Sequence, residues 1–223
     1  MKKILALILA AMMLLLTAVA CAPADDDTNA GDTTEATETT TEATEETTEA
    51  PAVELAYGSA LELLTQVLDG YNATASEETK LYVAGGNINN FDTTSMDGPA
   101  KFVPLADSDY TDNLGYPEAE ASKIDDAASM FNMMNVNVFN CYTLHFTEGT
   151  DVDATIDSLK ANILAKQWVC GAPEKLVIVK IPGDYILAVW GAVQFGGVVD
   201  PFVASISSSV AGAEIVVEHS FEA

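Results

Sequence analysis

A chain of 223 residues with 34 acids, nine lysines, no arginine and a formal net charge of −25 is too acidic to grip nucleic acid or an anionic lipid surface. Three cysteines do not make a disulfide framework, and the chain has two histidines. The length admits one domain or two.

The leader comes first. Lys2 and Lys3 make a charged start, Ile4 to Leu16 an apolar segment, and Ala18 and Ala20 bracket a cleavage point, so residues 1–20 read as a signal peptide. The apolar run is short for a spanning helix, which needs about 20 residues. A cut after Ala20 releases a free protein in which Cys21 is incidental, or Ala18-Val19-Ala20-Cys21 is a lipobox and the Cys21 thiol receives a diacylglycerol. Cysteine is rare, and one stands at the cut, so lipidation is the expectation, although Ala18 replaces the commoner leucine. Each buried methylene adds about 0.8 kcal/mol, so palmitate-type chains in a pair anchor where one does not.

Residues 22–52 hold ten acids, many threonines, no lysine and no aromatic residue. Such a tract cannot bury enough apolar surface to offset chain entropy and is expected to be a disordered linker. As a flexible coil it spans roughly 30 Å, and about 100 Å when pulled straight. Its threonines are candidate glycosylation sites.

A single α+β domain is predicted over 53–223, with 24 acids against seven lysines. "SALELLTQVLDG" reads as a helix capped by Ser59, with Glu62 closing a capping box, Leu61, Leu64 and Leu68 on one face, and Gly70 at its end. "KLYVAG" suggests a short strand, followed by irregular chain to Pro117. "PEAEASKIDDAASMF" has Ile124, Ala127, Ala128 and Phe131 at helical spacing behind Pro117, which predicts a helix.

The last ninety residues are clearer. "NVNVFNCYTLHF" (135–146) predicts a strand with Val136, Val138, Tyr142, Leu144 and Phe146 on one side, and Asn140 as an exception to that apolar set. "TDVDATIDSLKANILAKQW" predicts a helix capped by Thr150, with Asp153 completing the box and Val152, Ile156, Leu159 and Ile163 as its stripe. "EKLVIVKI" and "DYILAVWG" flank Pro182-Gly183 as a hairpin. "DPFVASISSSV" predicts a helix capped by Asp200 with Pro201 in its first turn and Val203, Ile206 and Val210 on one side; "AEIVVEHSF" predicts a last strand.

The order is β-α-β-β-α-β, which predicts a ferredoxin-like core over about 133–221 with both helices on one sheet face. Its hairpin strands are apolar on both sides, so the second face needs a cover. An N-terminal helical extension within 53–132 is the economical candidate, and a homodimer partner the other.

"MMNVNVFNCYTLHF" and "AKQWVCGAPEKLVIVKIPGDYILAVWG", behind such a leader, resemble a group of small Firmicutes lipoproteins with a lipobox cysteine, a polar linker and a C-terminal domain of unknown function. The resemblance spans roughly 115–215 and implies an exported, tethered α+β domain. It implies no activity and no site residues.

Candidate chemistry is sparse. Cys141 and His145 share a strand face, and the ferredoxin-like order would pair His219's strand with theirs, which suggests a nucleophile with its base or a set of metal ligands. The simpler alternative is a buried thiol and two ordinary histidines. Cys141 and Cys170 either pair or pack separately as small apolar side chains. Asp107, Asp109, Thr111, Asn113 and Glu118 have the spacing of calcium-loop donors, but Asp112 stands where the loop needs glycine. The simpler alternative is an acidic turn. "GAVQFGG" lacks the Lys-Ser/Thr ending of a phosphate loop and reads as a turn. Met133, Met134, Trp168 and Trp190 read as core or rim packing. No nucleophile elbow, His-Glu-x-x-His or Cys-x-x-Cys is present, so no cofactor and no catalytic residue is predicted. The expectation is a non-enzymatic binding or accessory domain, lipid-anchored on the outer face of the cell membrane, with an envelope protein or ligand as partner. The alternatives are an envelope enzyme using Cys141 and His145, or a small solute-binding component.

Overall fold

A computed structural model describes residues 57–169, 171–194 and 197–221. The chain divides into two units, Met1–Thr48 and Glu49–Ala223, and every described residue lies in the second. The leader, Cys21, the linker and Cys170 therefore lie outside the described residues.

The fold is α+β, built on one seven-stranded antiparallel sheet. Helix α1 (Ala60–Thr74) opens it. Two short strands follow, β1 (Ala84–Gly85) and β2 (Ala100–Lys101), then helix α2 (Ser108–Leu114) and a 3-10 helix (Glu118–Lys123). The hairpin β3 (Ile124–Phe131) and β4 (Phe139–Phe146) leads to helix α3 (Val152–Ala165). The hairpin β5 (Lys175–Ile181) and β6 (Tyr185–Gly191) leads to helix α4 (Val199–Ser209) and strand β7 (Glu214–Ser220).

The strand order is β1-β3-β4-β6-β5-β7, with β2 also on β3. A ferredoxin-like sheet would place the last strand beside β4. Here β3 holds that edge of β4, and β7 pairs with β5 instead. The consequence for the helices is geometric. The β4–α3–β5 and β6–α4–β7 crossovers both step two places in the same direction across the sheet, from strands that run in opposite senses. With one crossover hand for both, their helices fall on opposite faces. The expectation of both helices on one face is thereby corrected.

One face carries α1 and α4 over Ala128, Met130, Phe139, Cys141, Val177, Val179, Leu187 and Val189. The other carries α3, α2 and the 3-10 segment over Tyr142, Leu144, Phe146, Leu176, Ile178, Ile186 and Trp190. Both sides of β5 and β6 are covered, which is why their sequences lack polar alternation. The expected stripe of α3 is buried as read, and each such aliphatic side chain contributes about 1.5–3 kcal/mol.

Ser59 caps α1 by accepting from the Glu62 amide at 3.1 Å, while Glu62 accepts from the Gly58 amide at 2.6 Å. The sheet holds the same end: Thr143 donates to the Ala60 carbonyl at 2.7 Å, and Asp126 accepts from the Ala60 amide at 2.8 Å. Helix α1 runs past Gly70 to Thr74. Gly70 is a crossing point, not a terminator: a Cβ there would lie 2.2 Å from Ser209 Oγ on α4.

Four local features differ from expectation. Ile124–Phe131 is strand β3, not helix; Ala127, Ala128 and Ser129 are small enough for either, and the open edge of β4 recruits them. Strand β4 begins at Phe139, because residues 132–138 form the hairpin loop, where Asn132 accepts from the Met134 and Asn135 amides. Asp151 caps α3 in place of Thr150, and α4 starts at Val199 without a side-chain cap, Asp200 instead pairing with Lys175 at 2.6 Å. The β5–β6 turn is Pro182-Gly183-Asp184, with φ of 84° at Gly183 and 60° at Asp184, a conformation Asp tolerates better than most residues.

Candidate functional site: a cleft beside the β3–β4 turn

The residues singled out from sequence do not assemble. Cys141 and His145 lie four residues apart on β4, about 13 Å of strand. His219 sits on β7 opposite Leu176, three strands from β4 and roughly 14 Å away. Cys141 is a free thiol, fully buried, and burial raises its pKa well above the ordinary value, so it stays protonated. His145 instead contacts Asp125 through Nδ1 and lies against Tyr185, ring centroids 4.4 Å apart. The expected juxtaposition of Cys141, His145 and His219 is corrected by the strand order.

The calcium-loop spacing dissolves in the same way. Asp109, Thr111 and Asn113 lie on helix α2 and Asp107 at its start, and a step of two residues on a helix alternates between opposite sides. Thr111 donates to the Tyr116 carbonyl and accepts from the Glu118 amide, and Asn113 donates to the Asp109 carbonyl. Asp109 is buried as a clasp: it accepts from Asn87 at 2.9 Å, Asn89 at 2.7 Å and the Leu105 amide at 2.7 Å. Among the described residues no three His, Cys, Asp or Glu side chains are grouped to hold a metal ion. "GAVQFGG" is a turn where described, held by Glu174, which accepts from the Val193 and Gln194 amides at 2.6 and 2.7 Å.

A different place gathers unpaired polarity. On the α3 face, β3, β4 and β6 bring Phe131, Asn140 and Trp190 into one cross-strand row. A cavity of about 100 Å³ opens over this row, lined by Asn140, Ser129, Phe131, Leu114, Val136 and Ile88. Ile88, Asp112 and Val136 also line an adjoining trough of about 530 Å³, which continues past Met133, Met134, Trp168 and Val169.

Four buried polar atoms of this region, Asn140 Oδ1, Tyr142 Oη, Trp168 Nε1 and Trp190 Nε1, have no hydrogen-bond partner among the described residues. Their rings are neighbours: Tyr142 to Trp190 is 5.8 Å between centroids, and Trp168 to Trp190 is 5.5 Å. Burial raises the Tyr142 pKa well above its usual value, so the hydroxyl is neutral. Each unsatisfied buried group costs about 1–3 kcal/mol, so a cluster of four calls for an explanation.

The trough's rim is apolar and exposed. Met134 is 93 % exposed and Met133 53 %, which corrects the reading of these two as core or rim packing, and Val169 beside them is 80 % exposed. The loop that carries the methionines is pinned: Asn137 donates to the Val169 and Gly171 carbonyls at 2.8 and 2.7 Å. Lys166 is also committed, donating to the Asp112 carbonyl at 2.9 Å and lying over the Trp168 ring. Burial lowers its pKa, with Asp112 opposing that shift. Among the described residues the cleft therefore offers no free cation.

Sequence reading missed this site apart from one signal, the polar Asn140 on the otherwise apolar side of its strand. Among the described residues no helix is long and apolar enough to cross a membrane. Comparisons with protein-family models, curated proteins and solved structures found no match to the chain.

Proposed function

We propose that the protein is a lipid-anchored, extracytoplasmic binding or accessory domain of the cell envelope, held through Cys21 and carried on the 22–52 tract. The observation that carries the reading is the leader, a charged start and apolar segment ending in Ala18-Val19-Ala20-Cys21. The likeness to small Firmicutes lipoproteins points the same way. A binding role is supported by the amphipathic cleft around Asn140 and its exposed methionine rim. The Cys–His enzyme alternative gains no support from side chains that lie so far apart. Cell fractionation with mass spectrometry of the mature amino terminus tests the anchor. The native chain is expected in the membrane fraction with a diacylated Cys21, and Cys21→Ser in the soluble fraction. A Cys21→Ser protein that stays with the membrane overturns it.

A further inference from the structure

We infer that the cleft binds a short, extended, apolar peptide segment by inserting one backbone amide into the cavity beside Asn140. The inference rests on the reading of the domain as a binding module, but not on the lipid anchor.

Four observations converge on that ligand. First, Asn140 is only 5 % exposed, lines the cavity, and its Oδ1 has no partner among the described residues. A carboxamide carries donor and acceptor in one plane, and its terminal torsion is broad and roughly two-fold, so a half-turn of the amide exchanges the end presented to the cavity. The group most complementary to it is another amide. Second, the sizes fit. The inner cavity of about 100 Å³ takes one amide-sized group, and the open trough of about 530 Å³ takes the residues on either side. Third, the rim of Met133, Met134, Val136 and Val169 is exposed and apolar, and methionine repacks readily around varied side chains. Fourth, charge decides against an anion. The chain is strongly acidic, Asp112 lines both spaces, and Lys166 already serves the α2 carbonyls. The chain's own 22–52 tract is thereby a poor occupant, being acidic and without any large apolar side chain.

The chain has two tryptophans, and both adjoin this site, so intrinsic fluorescence reports on it with little background. The full chain in detergent is titrated with the blocked tripeptide acetyl-Leu-Ala-Leu-N-methylamide, with ¹⁵N-indole resonances followed in parallel. Saturable changes at Trp168 and Trp190 are expected, with affinity about tenfold weaker in Asn140→Leu, the loss of roughly one hydrogen bond. Met134→Asp, at an exposed position that leaves folding intact, is expected to weaken binding several-fold. Acetyl-Asp-Ala-Asp-N-methylamide is expected to bind more weakly than the leucine peptide. The inference is overturned by no saturable change up to the solubility limit, by equal affinity in Asn140→Leu and Met134→Asp, or by equal binding of the acidic peptide. Cys21→Ser is expected to titrate like the native chain, so a failed titration and a failed fractionation are separate results.

Discussion

Replacing Asn140 by leucine should make the unliganded protein more stable. The two side chains have the same number of heavy atoms, and Asn140 sits in a row with Phe131 and Trp190 at 5 % exposure. Its carboxamide has been stripped of water without gaining a protein partner for Oδ1, a cost of about 1–3 kcal/mol. Leucine removes that cost and adds apolar burial, and the adjoining cavity of about 100 Å³ relieves the difference in shape. A net gain of about 2 kcal/mol corresponds to roughly 4–8 °C in Tm for a domain of this size. Urea unfolding at fixed pH measures the free energy, with an unchanged slope to show that the end states are the same. A loss of 1 kcal/mol or more would refute the reasoning. It would mean that the carboxamide is fully satisfied in the folded protein and holds the strand row together.

Two further outcomes follow from packing and charge. Gly70→Val pushes Cβ into Ser209 where α1 crosses α4, and should cost about 1–3 kcal/mol; Ser209→Gly in the same chain should recover most of it, and independent, additive effects in a double-mutant cycle would contradict the crossing. At Asp109, burial raises the pKa, but hydrogen bonds from Asn89, the Leu105 amide, Asn87 and the Ala106 amide outweigh it and hold the carboxyl below its ordinary range. A folded-state pKa below the unfolded one contributes stability above about pH 4, which is lost as pH falls through the folded value. Asp109→Asn should therefore lower stability at neutral pH by about 1–3 kcal/mol and flatten the acid limb of the unfolding profile; an unchanged acid limb would show that the clasp does not titrate with folding.

How much was legible in the residues depended on whether the signal was local. The α1 cap at Ser59, the α3 stripe and the Pro182-Gly183 turn rest on contacts within a few positions, and they were readable. Strand β3 was not. Ala127, Ala128 and Ser129 carry no preference strong enough to resist the unfilled edge of β4, an influence that lies on another strand. The departure from ferredoxin-like order has the same origin: once β3 takes that edge, β7 must pair elsewhere, and α4 changes face with it. The candidate site was hidden because its polar atoms arrive from β4, β6 and the segment after α3, whereas the motif spacings lie at Asp107–Glu118 and at Cys141. Only Asn140, out of keeping with the apolar residues of its strand, gave the place away.

The seating of α1 sets the order in which the molecule can be completed. The helix and the residues just before it lean on residues made much later: Tyr57 donates to the Pro182 carbonyl, 125 positions on, and Gln66 to the Ser209 carbonyl, 143 positions on. A nascent chain therefore extrudes its first helix long before the surface that receives it exists. Such distant closures slow assembly, and they bind the two ends of the domain into a single cooperative unit. Shortening the carboxyl end by a few dozen residues would unseat the amino end as well.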